Sequence, residues 1–454
     1  MIRGVKAAQR LDSRGDPTVQ VDLATDDGTF RALVPTGASN GQYEAVELRD
    51  NDPSVYKGLG VQVAMKHVEE IIGPALVERK FNTQTQLKEI DDFMADLDGT
   101  SNFERLGANA VLGVSMACAR AGAATAKLTL YEFLRDEAGF TGRYILPVPF
   151  FNVLNGGLHS GDVMAFQEIM TAPVGARSFK EAMRIGSELH HKFKQVFHQR
   201  FGLLSTGVGD EGGFAPPIRR PEDGMNLLLD AIDNCGYSEK TKFAIHAAAP
   251  HFYRPDDQQY DLGFPNKPSR RLSTPQMREL HKTMINEYPI VLLEDPFIDE
   301  DWDSWADLTK SCDIEIVGDS LLATNPDRIK LAHSKKACNA VLLRLNQIGT
   351  VSNAIEVAKM AYDLDWSVFV SHRAGEAVDD FPADLVVALG AGHAKFGAPF
   401  GGERVSKYNR LLEIEEDLTA KKKPWVYAGQ NFRFSGREVR RHSREAPKKL
   451  DANA

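Results

Sequence analysis

A chain of 454 residues with 43% hydrophobic and 26% charged side chains can bury one large core and a smaller companion domain. Its formal net charge of -9 supplies no basic field for phosphate backbones, which excludes nucleic acid as a partner of the whole surface. Four cysteines, Cys118, Cys235, Cys312 and Cys338, form no CxxC pair and read as free thiols of a reducing compartment.

Residues 1–6 run straight into a strand without the apolar core of a secretory leader. No apolar run reaches bilayer length, so the expected setting is cytoplasmic and away from membranes. Alternating Val19, Val21 and Leu23, the turn Asp26-Asp27-Gly28 and the run 30–34 predict a hairpin. Helical periodicity in Val61, Val63, Ala64, His67, Val68 and Ile71, then in 87–97 and 108–124, predicts three helices on that sheet. Residues 1–140 thus read as a small α+β domain. Over 141–433, short apolar strands alternate with amphipathic helices such as 179–201 and 352–362, which predicts a parallel sheet closing into a (β/α)8 barrel. Residues 434–454 hold Arg437, Arg440, Arg441, Arg444, Lys448 and Lys449 without a hydrophobic period. That composition predicts a flexible basic tail or a docking arm for an acidic partner.

Several of the barrel's apolar runs finish on a polar or ionisable residue: 166–168 on Glu168, 243–246 on His246, 290–294 on Glu294, 314–319 on Asp319, 340–344 on Arg344, 367–372 on His372, and Ala394-Lys395. A parallel barrel builds its site from such strand ends at one face. By contrast, 207–212 satisfies the dinucleotide pattern G-x-G-x-x-G, but Phe214-Ala215-Pro216-Pro217 follows it and forbids an immediate helix. Nucleotide binding by this loop is not expected.

The segments Leu11-Asp12-Ser13-Arg14-Gly15, Pro35-Thr36-Gly37-Ala38-Ser39, Asn155-Gly156-Gly157-Leu158-His159, Gly209-Asp210-Glu211-Gly212-Gly213, Glu294-Asp295-Pro296-Phe297, Ser371-His372-Arg373 and Gly429-Gln430-Asn431-Phe432 occur here in one order. In that order they resemble the enolases, lyases that convert 2-phosphoglycerate to phosphoenolpyruvate. The resemblance implies an N-terminal α+β domain on an enolase-type barrel and a magnesium-assisted dehydration. It places Glu168 and Glu211 as the pair assisting departure of the hydroxyl, and His159, His372, Arg373 and Lys395 around the substrate. Glu294, Asp319 and Ser39 fall at metal-binding positions.

Two decisive positions depart from that pattern, since Arg344 stands where the resemblance implies a lysine base and His246 where it implies a metal-binding aspartate. A base must be neutral when it acts, and arginine starts at about 12.5 to 13.8, roughly six units or about 8 kcal/mol from a lysine tuned near neutrality. Magnesium wants oxygen ligands, whereas imidazole suits zinc and its neighbours. His251 and Ser320 likewise replace expected carboxylates, and Ala374 removes a hydroxyl from the expected phosphate site. Magnesium binding is therefore expected to be weakened, and His246, Glu294 and Asp319, with His251, form an alternative zinc set.

At the expected dimer face, Gln20 and Glu413 replace a glutamate–arginine pair and Ala8 an arginine, which puts the family's homodimer in doubt. These changes together predict an enolase-like pseudoenzyme, a scaffold or assembly subunit needing no cofactor and meeting a protein partner through this face or the basic tail. The alternatives are an active enolase with an altered site, or a non-catalytic module holding a phosphorylated ligand or a metal.

Overall fold

The computed structural model describes residues 1–37, 41–160, 164–263 and 269–444, with side chains described as far as Val439. Its first element is an antiparallel meander of Ile2–Leu11, Pro17–Thr25 and Gly28–Leu33, with Pro17–Thr25 in the centre. Thr25 pairs with Gly28, so the hairpin turns on two residues, as the sequence predicts. Val19, Val21 and Leu23 are fully buried. The helix Ala108–Ala126 lies on them, and small residues let it come close: a Cβ on Gly113 would sit 2.6 Å from Val21 Cγ2. The first expected helix is one continuous run whose middle turn, His67–Ile72, is a π-helix flanked by Gln62–Lys66 and Gly73–Arg79. Leu87–Asp98 and a further helix, Leu130–Ala138, complete the layer.

The barrel has eight staves. The stretch 148–155 carries strands Val148–Pro149 and Phe151–Asn155 and joins both edges, pairing with His393–Lys395 on one side and Glu168–Ala172 on the other. Lys242–His246, Ile290–Glu294, Glu315–Gly318, Ala340–Leu343 and Ser367–Ser371 fill the circle in order. The expectation of wholly parallel strands needs correction, because Glu168–Ala172 is antiparallel to both neighbours. Among the described residues, its link from Asn155 shows no crossover helix of the kind a parallel connection uses. Glu168 therefore opens its strand instead of closing one. Reversal brings that opening to the mouth where the other strands end.

Three contacts help seat the small domain on this mouth. Thr36 N donates to Gly375 O at 2.7 Å and Ser13 N to Glu376 O at 2.8 Å, while Arg120 forks onto Asp379 at 2.8 and 2.9 Å.

The expected tail needs a second correction, since Ser435–Arg444 is a helix in which Val439 is buried against Gly390. The strongly basic composition hid the apolar contact of Val439. Residues 445–454 lie outside the described residues. The four cysteines are free, with Cys118 and Cys338 buried. Among the described residues, no helix is long and apolar enough to cross a membrane.

Candidate functional site

Strand register lines up the mouth. Glu168 pairs with His246, His246 with Glu294, and Ser371 with Lys395, while Asp319, Arg344 and His372 each stand one residue past their strand. All eight of these side chains are buried. A cleft of about 370 Å³ opens above them, lined also by His159, Gln167, His251, Arg373 and Ala374. Every expected site residue thus converges except Ser39, which lies outside the described residues.

One side of the mouth is closed by ion pairs. Arg344 Nη1 donates to both oxygens of Asp319 at 2.5 and 2.6 Å, and Arg344 Nε to His372 O at 3.1 Å. Lys395 Nζ donates to both oxygens of Glu294 at 3.0 and 2.9 Å and lies 3.1 Å from Glu168 Oε1. His246 Nδ1 is 3.0 Å from the same Glu168 oxygen and 3.2 Å from Lys395 Nζ. An ammonium can only donate, so Nδ1 cannot both accept from Lys395 and donate to Glu168.

The electrostatics decide between these roles. Burial works against charge on His246, but the Glu294 carboxylate, with help from Asp295 and Glu168, lifts its pKa to about 10. The ring is an imidazolium that donates to Glu168. Burial likewise opposes charge on Arg344 and Lys395, and the facing carboxylates outweigh it, holding both above their ordinary values. For Asp319 burial pushes up, while Arg344, then His246 and Lys395, hold it well below the carboxylate range. Burial raises Glu294 to about 7 despite His246 and Lys395.

The other side is looser. Asn152 Nδ2 donates to Glu211 Oε2 at 3.1 Å, but Glu211 Oε1 lies 3.4 Å from His372 Nε2 and 3.7 Å from His159 Nδ1. Neither contact makes a formed hydrogen bond, and His159 Nδ1, His372 Nε2 and Glu168 Oε2 are buried without partners. Burial raises the Glu211 carboxyl, yet His372, His159 and Lys395 bring it well below its ordinary value. Burial, abetted by Arg404, drops His372 to about 4 against the pull of Glu211. Arg404 Nη1 donates to His372 Nδ1 at 2.5 Å, which assigns the imidazole proton to Nε2. The G-x-G-x-x-G loop carries Glu211 and packs closely on the His159 segment: a Cβ on Gly209 would lie 2.4 Å from His159 O.

Some contributors carry no signal in sequence. Glu44, from the small domain, accepts from Arg373 Nη2 at 3.1 Å, and Asp295 accepts the backbone N–H groups of Asp319 and Ser320 at 2.9 Å each. Asp295 sits inside the segment Glu294-Asp295-Pro296-Phe297, but its φ of 44° and its two bonds arise only from the fold.

Magnesium fits this donor set poorly. Both oxygens of Asp319 are engaged by Arg344, both of Glu294 by Lys395, and an imidazolium lies between them. The expected zinc set is not assembled either. His251 Nδ1 turns to Gln167 Oε1 at 3.1 Å, and Glu294 is committed to Lys395. Among the described residues, the buried groups compact enough to hold a metal are His246, Asp295 and Asp319, and His159, Glu168 and Glu211. Chemically, the mouth offers fixed cations, Arg344 and Arg373, that could hold an anion beside the carboxylates they pair with. It lacks a neutral amine at the end of Ala340–Leu343 to take a proton.

The description of the enolase N-terminal domain matches residues 2–134, and that of the enolase C-terminal TIM barrel domain matches residues 143–435. With both domains matched in order over most of its length, the chain belongs to the enolase family.

Proposed function

We propose that this chain is an enolase-family pseudoenzyme, with dehydration of 2-phosphoglycerate lost or strongly impaired, that serves as a scaffold or assembly subunit. The observation that carries this reading is Arg344 pinned on Asp319, 2.5 and 2.6 Å from its two oxygens. A guanidinium held above its ordinary pKa is no base at neutral pH, and the same bond occupies a carboxylate that magnesium would need. Support for a changed assembly comes from the former dimer positions. Gln20 is buried and donates to Asp22 at 2.8 Å, and Glu413 is held by Arg410 at 3.0 Å, so each is satisfied within one chain.

Phosphoenolpyruvate formation with excess magnesium tests the reading, with His246→Asp, Arg344→Lys and Ala374→Ser combined as the repaired chain. The expected result is no detectable turnover in the native chain and measurable turnover in the repaired one. Native turnover within tenfold of an ordinary enolase would overturn the proposal. A second reading, a module that holds a phosphorylated ligand without changing it, draws on the 370 Å³ cleft, where Arg344 and Arg373 meet His159 and His251. Ligand-dependent thermal stabilisation without turnover would favour it.

A further inference from the structure

We propose that Ser273 is a phosphorylation site, the acceptor for a separate protein kinase that selects serines preceded by paired arginines. The chain holds three Arg-Arg pairs, at 219–220, 270–271 and 440–441, and two of them lead into a serine, as Arg270-Arg271-Leu272-Ser273 and Arg440-Arg441-His442-Ser443. Kinases discriminate among substrates by such charge patterns, an acidic groove of the enzyme taking the arginines and so placing the hydroxyl. The side chain of Ser443 lies outside the described ones, so the geometric argument concerns Ser273.

The fold presents this tetrad at an edge, well away from the barrel mouth. Arg271–Ser273 is the outer strand of a three-stranded sheet, paired on one side with Gln259–Asp261 and with no strand on its other side among the described residues. An edge strand is extended and offers unpaired backbone groups, the form in which a groove can take a peptide. Leu272 packs partly buried against the core, and strand alternation puts Arg271 and Ser273 together on the opposite face. Both arginines are exposed.

Little holds these side chains back. Arg271 is tied to Asp257 at 2.6 Å and to Ser269 Oγ at 3.0 Å, but its side chain is 44% exposed, and surface pairs of this kind contribute little against a competing carboxylate. Ser273 is partly exposed, and its Oγ meets the exposed Gln276: it accepts the Gln276 N–H in the capping box that opens helix Thr274–Glu287 and donates to Gln276 Oε1 at 3.2 Å. Opening that cap frees the hydroxyl. In the transfer, Ser273 Oγ attacks the γ-phosphorus of ATP, the new Oγ–P bond forms as the bond from that phosphorus to the β,γ-bridging oxygen breaks, ADP leaves, and the hydroxyl proton passes to a base of the kinase. The product adds a charge of about −1.5 to −2 at the first turn of Thr274–Glu287, where the helix dipole favours an anion. The proposal does not rest on loss of dehydration, and its test involves no 2-phosphoglycerate.

The full native chain would be incubated with the catalytic domain of an arginine-directed protein serine kinase, magnesium and γ-labelled ATP, and the product mapped by tandem mass spectrometry. Phosphate on Ser273 is expected in most chains. It should fall at least tenfold when Arg270→Ala and Arg271→Ala are combined, and vanish in Ser273→Asn, which keeps a helix cap but has no hydroxyl. No label, label confined to Ser269, Thr274 or Ser443, or undiminished labelling of Ser273 in the arginine variant would overturn the assignment. So would label on Ser273 that appears only after heat denaturation, because the fold would then hide the tetrad. Should either variant fail to fold, the mapped position in the native chain decides alone.

Discussion

The two sides of the barrel mouth use the same residue types and treat them differently. Around Asp319 and Glu294, each carboxylate oxygen meets a cation of the chain itself, whereas around Glu211 the histidines stop short of bonding. The first side has internalised the positive charge that a metal would bring. The second keeps polar atoms unspent inside the protein, at a cost in stability that a bound ligand would offset. A site can thus be rigid and self-neutralised on one side while still receptive on the other.

Removing Arg344 should break this contrast most severely. Arg344→Met leaves Asp319 buried without its partner and is expected to lower unfolding free energy by about 3–5 kcal/mol, read by urea denaturation at neutral pH. A loss under 1 kcal/mol would show that the pair contributes little, or that water reaches Asp319 in its place.

The pH dependence sharpens the same comparison. Asp319 has a depressed pKa in the fold, so its contribution is complete above about 3.9 and is lost as pH falls below that. His246 has a raised one, so its contribution is complete below about 6.5 and is lost as pH climbs from there toward about 10. Melting temperature measured against pH should therefore fall on the alkaline side in the native chain and fall less in His246→Gln. Superimposable alkaline limbs would mean that His246 is not charged in the fold.

Smaller effects lie outside the saturated side. Val439→Ala should cost about 1.5 kcal/mol for two lost carbons, because that side chain docks the last helix. No change in stability would mean that the helix is not held there. On the receptive side, His159→Gln in metal-free protein should cost less than about 1 kcal/mol, since its Nδ1 makes no bond to lose. If it costs as much as Arg344→Met, the two sides do not differ.

Much of this was legible before any coordinates. Arg344 and His246 announced themselves by type and by place at the ends of apolar runs, and alternation gave the hairpin and the barrel's strands. The direction of Glu168–Ala172 was not legible, because alternation reads alike forwards and backwards. The last helix was missed because one buried valine among arginines makes no periodic pattern.

The sequence by itself determined the family, the two-domain plan and the identity of the residues at the strand ends, since those depend on residue type and local order. Only the tertiary structure decided who neutralises whom. Asp319 and Arg344 are 25 positions apart, Glu294 and Lys395 101, and Glu44 reaches Arg373 across 329. Charge pairing falls off with distance in space, and a closed barrel brings together strand ends that the chain keeps far apart.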